Sequence, residues 1–196
     1  MVIWLADTGK EYDLGTLVII NQKLTIVGSG DAKVKGKIQL RNADLTLAGI
    51  KFYNYDGGIT ISSENSKIVV SNVSMTNRNS SSDPTSILSG TCIDLTYKSI
   101  LNVTGSFNIR GYNIGILVKR DSNVVPLNTI TAKYVSAVYS IDDSYNINSN
   151  IISKIDADST VTRKYITNES NVILHEDVPS NITTMSAFES YASTLL

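Results

Sequence analysis

Apolar and polar residues alternate along this chain in short bursts, and the bursts recur at a nearly constant interval. Pairs of the form Φ-x-Φ stand at Leu17/Ile19, Ile38/Leu40, Ile59/Ile61, Ile93/Leu95 and Ile116/Val118, with a weaker copy at Val138/Ser140. The steps between the first five first members and the sixth are 21, 21, 34, 23 and 22 residues. A second element, Φ-x-Φ-x-x-Φ-x-Φ, follows most of these pairs. It reads Leu45, Leu47, Ile50, Phe52, then Ile68, Val70, Val73, Met75, then Val125, Leu127, Ile130, Ala132. Alternation with period two predicts strands rather than helices, and a fixed repeat of this length predicts a stacked solenoid.

Between the bursts lie turn formers: Asn21-Gln22, Gly28 to Asp31, Asn42-Ala43-Asp44, Asn54 to Gly58, Asn77, Gly105 and Asn113. Asn and Gly tolerate the positive φ that a sharp corner needs. The expected fold is therefore all-β: a single-stranded right-handed parallel β-helix of about six coils, roughly 25–30 Å tall at the usual strand spacing. Leu17, Ile38, Ile59, Ile93 and Ile116 should form one inward column, and Ile19, Leu40, Ile61, Leu95 and Val118 the next. Val18, Gln39, Thr60, Asp94 and Leu117 would lie between them and face water. One coil alone cannot offset the entropy of ordering about 22 residues at roughly 1–2 kcal/mol each, so coils must share a core.

Three segments follow from this frame: 1–13 as an N-terminal cap with Ile3-Trp4-Leu5 across the open end, 14–160 as the β-helix, and 161–196 as a C-terminal cap or attachment segment. Residues 184–196 carry helical spacing and a capping box at Ser186–Glu189. That helix either closes the end of the stack or docks on another subunit, through Met185, Phe188, Tyr191 and Leu195. The step of 34 residues marks an insertion at 78–90, with Arg78, Ile87 and Leu88 as contact candidates. Outward Val18, Val69 and Leu117 suggest a homo-oligomer, a trimer among the options.

Composition narrows the chemistry. The chain has 196 residues, 42% hydrophobic but only 18% charged, with a formal net charge of −1. Ser, Thr and Asn supply the polar surface, and no basic footprint for nucleic acid or an anionic membrane is present. The N-terminal apolar run is too short for a signal peptide or a membrane span. Asn72, Asn102 and Asn181 fit glycosylation sequons by chance in so Asn-rich a chain. The single Cys92 precludes an internal disulfide and is expected as a small buried residue. One Cys and one His, His175, cannot assemble a usual zinc site, and no cofactor is expected. Glycosidic hydrolysis needs two carboxylates at a defined separation. The candidates are Asp142 and Asp143, with Asp121 in the preceding coil; Asp156 and Asp158 could hold only a weak ion. Adjacent strand residues point to opposite faces, and Asp favours turns, so a solvated role is the simpler expectation for all of them.

These coils, with Asn and Gly at their corners, resemble the right-handed parallel β-helix proteins, over about residues 14–158. The charge-poor texture is similar to tailed-phage virion proteins: tailspikes, tail fibres and decoration proteins. The companion motifs of polygalacturonase-like and pectate-lyase-like enzymes are missing around Asp142. The resemblance implies a non-enzymatic capsid or tail accessory protein, assembled in the bacterial cytoplasm beside other virion proteins. The alternative it implies is a module that binds or cleaves a cell-surface polysaccharide.

Overall fold

The computed structural model describes residues 1–80, 82–142, 150–167 and 173–195. It is a parallel β-solenoid of about seven rungs wound around three faces, with seven paired strands on two faces and six on the third among the described residues. The strands are β1 (Val2–Leu5), β2 (Glu11–Ile20), β3 (Lys23–Arg41), β4 (Asp44–Asn54), β5 (Ile59–Glu64) and β6 (Lys67–Asn77). They continue as β7 (Thr91–Thr96), β8 (Ile100–Val103), β9 (Phe107–Arg110), β10 (Ile114–Val118), β11 (Asn123–Pro126) and β12 (Ile130–Lys133). The last are β13 (Ala137–Ile141), β14 (Asn150–Ile152), β15 (Ile155–Ala157), β16 (Arg163–Thr167) and β17 (Ile173–His175), before one helix, α1 (Met185–Ser193).

Every described strand pairing is parallel. Face 1 stacks β1, the starts of β3, β4 and β6, then β8 and β11. Face 2 stacks the start of β2, the middle of β3, the ends of β4 and β6, then β9, β12 and β15. Face 3 stacks the ends of β2 and β3, then β5, β7, β10, β13 and β16. The inward residues form continuous aliphatic columns, such as Ile26, Leu47, Val70 and Val103 on face 1 and Val34, Phe52, Met75 and Ile109 on face 2. Each buried aliphatic side chain contributes about 1.5–3 kcal/mol, and every rung covers its neighbour's apolar surface.

Residues 1–13 do not lie across the open end. Backbone pairing sets β1 on β3 in register, Ile3 opposite Ile26, so this segment supplies the face 1 strand of the first rung, whose face 3 strand carries Leu17 and Ile19. At the other end β16 pairs with β13, carrying the stack beyond residue 160. β16 is the seventh strand of face 3, one more than the six expected coils.

Register corrects the expected columns in two places. Ile38 and Ile93 both pair with Ile61, not Ile59. Ile61 is fully buried, whereas Ile59 opens the strand at a corner and is 39% exposed. Likewise Ile116 pairs with Tyr139 and Val118 with Ile141, one residue along from the Val138/Ser140 pair. Ile59 and Ile61 lie two apart and satisfy the same period, so alternation alone cannot tell which one stacks, whereas Val138 and Tyr139 are adjacent and both buried, so β13 carries no inside-outside contrast to set its parity. Thr60, expected outside, is buried and shares a 2.8 Å hydrogen bond with the Tyr112 hydroxyl.

The corners explain why the chain can turn at these points. Between faces 3 and 1, Asn21, Asn42 and Asn65 stack with φ of 54°, 48° and 46°. The Asn65 side-chain amide donates to the Asn42 side-chain oxygen at 2.8 Å. Inside this corner runs a buried serine ladder: the amides of Ala43, Ser66 and Ser99 donate to the hydroxyls of Ser66, Ser99 and Ser122. Between faces 2 and 3 the backbones approach so closely that a Cβ on Gly36 would lie 2.5 Å from the Gly15 carbonyl oxygen.

Helix α1 begins at Thr184, whose hydroxyl accepts from the Ala187 amide at 3.2 Å, rather than at a Ser186 capping box. None of its residues is fully buried, and Ala187, Phe188, Tyr191 and Ala192 are half-buried.

Candidate functional site

Face 3 carries the features that could bind something. Its outward positions form two columns, one of Val18, Gln39, Ser62, Asp94, Leu117 and Ser140, and one of Ile20, Arg41, Glu64, Thr96 and Lys119. A trough of about 460 Å³ crosses the first four rungs between these columns. It begins at exposed Val18 and Ile20 and ends at Asp94, which is only 9% exposed. Asp94 therefore does not face water as its outward place in the alternation suggests. Its Oδ2 lies 3.4 Å from the Lys119 ammonium, while its Oδ1 is buried with no hydrogen-bond partner. Burial raises the Asp94 pKa above the usual carboxylate value, Lys119 opposes that rise, and Asp142 adds to it. Across the trough Glu64 is tied to Arg41 at 3.0 Å.

At the adjoining corner the asparagine ladder gives way to pairs of left-handed residues, Tyr97-Lys98 and Arg120-Asp121, with φ between 51° and 61°. The additional residue pushes this corner outward in two successive rungs. Together with Asn65 these four residues line a second depression of about 630 Å³. Tyr97 is 48% exposed, with the Arg120 guanidinium 4.1 Å from its ring centroid. Because Glu64 precedes Asn65 and Thr96 precedes Tyr97, the two depressions abut.

Among the described residues, the carboxylates singled out from the sequence do not converge. Asp121 sits in the corner depression. Asp142 is exposed on face 3 just after β13, its amide donating to the Val118 carbonyl. Asp143 lies outside the described residues. Asp156 is an outward residue of face 2, and Asp158 is engaged by Lys133 and Thr160. Among the described residues no three His, Cys, Asp or Glu side chains group where they could hold a metal ion. No helix among them is long and apolar enough to cross a membrane. Cys92 is buried against Met75, and burial raises its thiol pKa well above the ordinary range. Asn102 is buried too, so its sequon is closed to modification in the folded chain.

The contact candidates divide. Arg78 is not a surface contact: its guanidinium lies 3.6 Å from the Tyr53 ring centroid and pairs with Asp83. Arg110 donates to the Pro84 carbonyl at 3.0 Å, and the Leu88 amide to that of Gly111 at 3.2 Å. The insertion is thus clamped onto face 2, leaving Ile87 exposed and Leu88 half-buried. Met185 is exposed, and Phe188, Tyr191 and Leu195 are half-buried. Sequence reasoning passed over Asp94 as a binding residue, because its outward place in the alternation implied solvent. The available signal was a single charged residue in an otherwise uncharged column. Comparisons with protein-family models, with curated proteins and with solved structures find no match for this chain.

Proposed function

We propose that this protein is a non-enzymatic structural or accessory protein of a tailed-phage virion, attached to a capsid or tail surface beside other virion proteins. The observation that carries the reading is α1. It places Phe188, Tyr191 and Ala192 along one stretch of helix yet buries none of its residues in the solenoid. An amphipathic helix whose apolar side is only half-covered by its own chain suits docking on a larger assembly.

Two further features favour this reading. The solenoid is laced by cross-rung ion pairs, including Lys35 with Asp13, Lys37 with Asp56 and Arg41 with Glu64, which suit a stiff part rather than a moving one. The first rung also exposes Met1, Val2, Trp4, Val18 and Ile20, with Trp4 at 77%. That is an apolar parallel edge of the kind proteins normally cover.

Co-sedimentation with purified phage particles tests the proposal. The full chain should travel with particles, and deletion of 184–196 should strip it from them. An Ile87→Asp variant asks the same of the insertion. If the chain never co-sediments, or both variants keep full occupancy, the proposed attachment fails.

A further inference from the structure

The end of a solenoid leaves a strand edge and a core cross-section open, and proteins protect such ends with a cap, with charge or with another molecule. At the far end β16 opens on exposed Arg163 and Lys164, and β15 carries exposed Asp156. The first rung has little of this protection. β1 and β2 pair only with β3, so one edge of each is free among the described residues. Their inward residues Ile3, Tyr12 and Leu17 are only partly buried, although the residues stacked on them, Ile26, Val34 and Ile38, are buried.

The outward residues change character as well. Val2, Val18 and Ile20 are exposed, and the same positions one rung further in are Thr25, Gln39 and Arg41. Trp4, 77% exposed, stands beside half-buried Val27. An apolar rim around an open apolar core is a surface suited to being covered. We infer that the first rung is a dimerisation surface, on which a second copy of this chain stacks end to end about a two-fold axis.

Shape selects the second copy. A lone strand from another protein would pair with one face and leave the core between the three faces open, whereas another first rung brings the same three-sided core. Turning one copy over reverses its strands, so the free N–H and C=O groups of the two rungs meet as an antiparallel pair. Such a contact is isologous and closes at two copies. Three strand edges of about 17 Å with the core between them present on the order of 600 Å² per copy, below the ~800 Å² per partner of a standard interface. That area suits a reversible dimer.

Charge places the axis. The only charged residues of β1 and β2 are Glu11 and Asp13, both on face 2. An axis through face 2 would set these acids against their own copies, and one through face 1 would lay Val18 and Ile20 along them. An axis through face 3 sets Ile19 opposite Ile19 and each Val18 beside an Ile20, an apolar cross-strand pair. Faces 1 and 2 then exchange, so β1 of each copy runs along the start of β2 in the other. Trp4, whose indole N–H can donate, is covered there beside the acids. Glu11 and Asp13 keep their own partners, the Tyr55 hydroxyl at 2.7 Å and Lys35 at 3.1 Å.

Sedimentation equilibrium of the full chain over a thousandfold range of concentration tests the assignment. Monomer should pass to dimer, and iodide quenching of Trp4, the only tryptophan, should fall as the dimer forms. Trp4→Lys and Ile20→Lys should each weaken the dimer tenfold or more, while circular dichroism and the melting temperature of dilute samples show both variants folded as the parent. Ile87→Lys, on the insertion, and deletion of 184–196 should leave the dimer unchanged. The assignment is overturned if the chain stays monomeric, if it forms trimers, if either first-rung variant associates as tightly as the parent, if Trp4 is quenched equally in the dimer, or if Ile87→Lys or the deletion weakens association as much. Particle attachment through α1 is a separate contact, so the two proposals fail separately.

Discussion

Two isoleucines in β5 give the register of the whole solenoid an unequal pair of perturbations. Ile61 is wholly buried, between Ile38 below and Ile93 above, while Ile59 is 39% exposed at the corner. Alanine at 61 removes a large aliphatic group from a filled column, and the neighbouring rungs cannot collapse onto the gap without breaking their own pairing. Such a change costs about 2–5 kcal/mol, which is roughly a 30-fold to several-thousand-fold shift in the unfolding equilibrium. Alanine at 59 loses only partial burial and leaves no closed cavity, so it should cost about 1 kcal/mol or less. Urea unfolding followed by far-ultraviolet circular dichroism reads the difference. The only tryptophan, Trp4, is a poor probe because it is already exposed in the first rung. Amide exchange of Ser62 and Asp94 would show whether the loss is local to the rung, as a nearest-neighbour stack implies. If Ile59→Ala costs as much as Ile61→Ala, β5 is not seated as described. The alignment of Ser62 with Asp94 on the outer face then fails with it.

Asp94→Asn should change how stability depends on pH. Burial raises the folded pKa of Asp94, so between the unfolded and folded values the folded state holds more protons, and stability falls as pH rises through that window. The Asn variant lacks this loss, so its stability relative to the parent should improve from strong acid to neutral pH; an unchanged difference in chemical unfolding would refute the burial effect. Gly36→Ala, with φ of +130° and a Cβ forced to 2.5 Å from the Gly15 carbonyl oxygen, should cost more than Gly9→Ala, where nothing lies within 4 Å and only about 1–2 kcal/mol of backbone strain arises. Equal melting temperatures for the two variants would contradict the close approach. Arg78→Ala should release the 78–90 insertion and speed its cleavage by trypsin or proteinase K without unfolding the solenoid, because Arg78 holds Tyr53 and Asp83 together. Removing residues 185–196 should move the melting temperature by less than about 2 °C, since no α1 residue is buried.

The amino-acid sequence by itself determined the class of fold and much of its interior. Strict alternation leaves each strand only one way to bury its apolar side. The recurrence of Ile38/Leu40, Ile93/Leu95 and Ile116/Val118, with Asn at the corners, leaves stacking as the way to share that burial. It also marked the insertion, because a step of 34 in a series near 22 has to leave the stack. The tertiary structure decided which residue meets which on the next rung: Ile61 rather than Ile59 opposite Ile38, Tyr139 rather than Val138 opposite Ile116, and β1 as a strand of the first rung rather than a lid. Each choice depends on which backbone hydrogen bonds form with the rung next door, a long-range matter that local pattern does not encode. The trough was decided the same way. Asp94 is outward by alternation, but only the neighbouring rungs set how deeply it is buried and leave its Oδ1 without a donor.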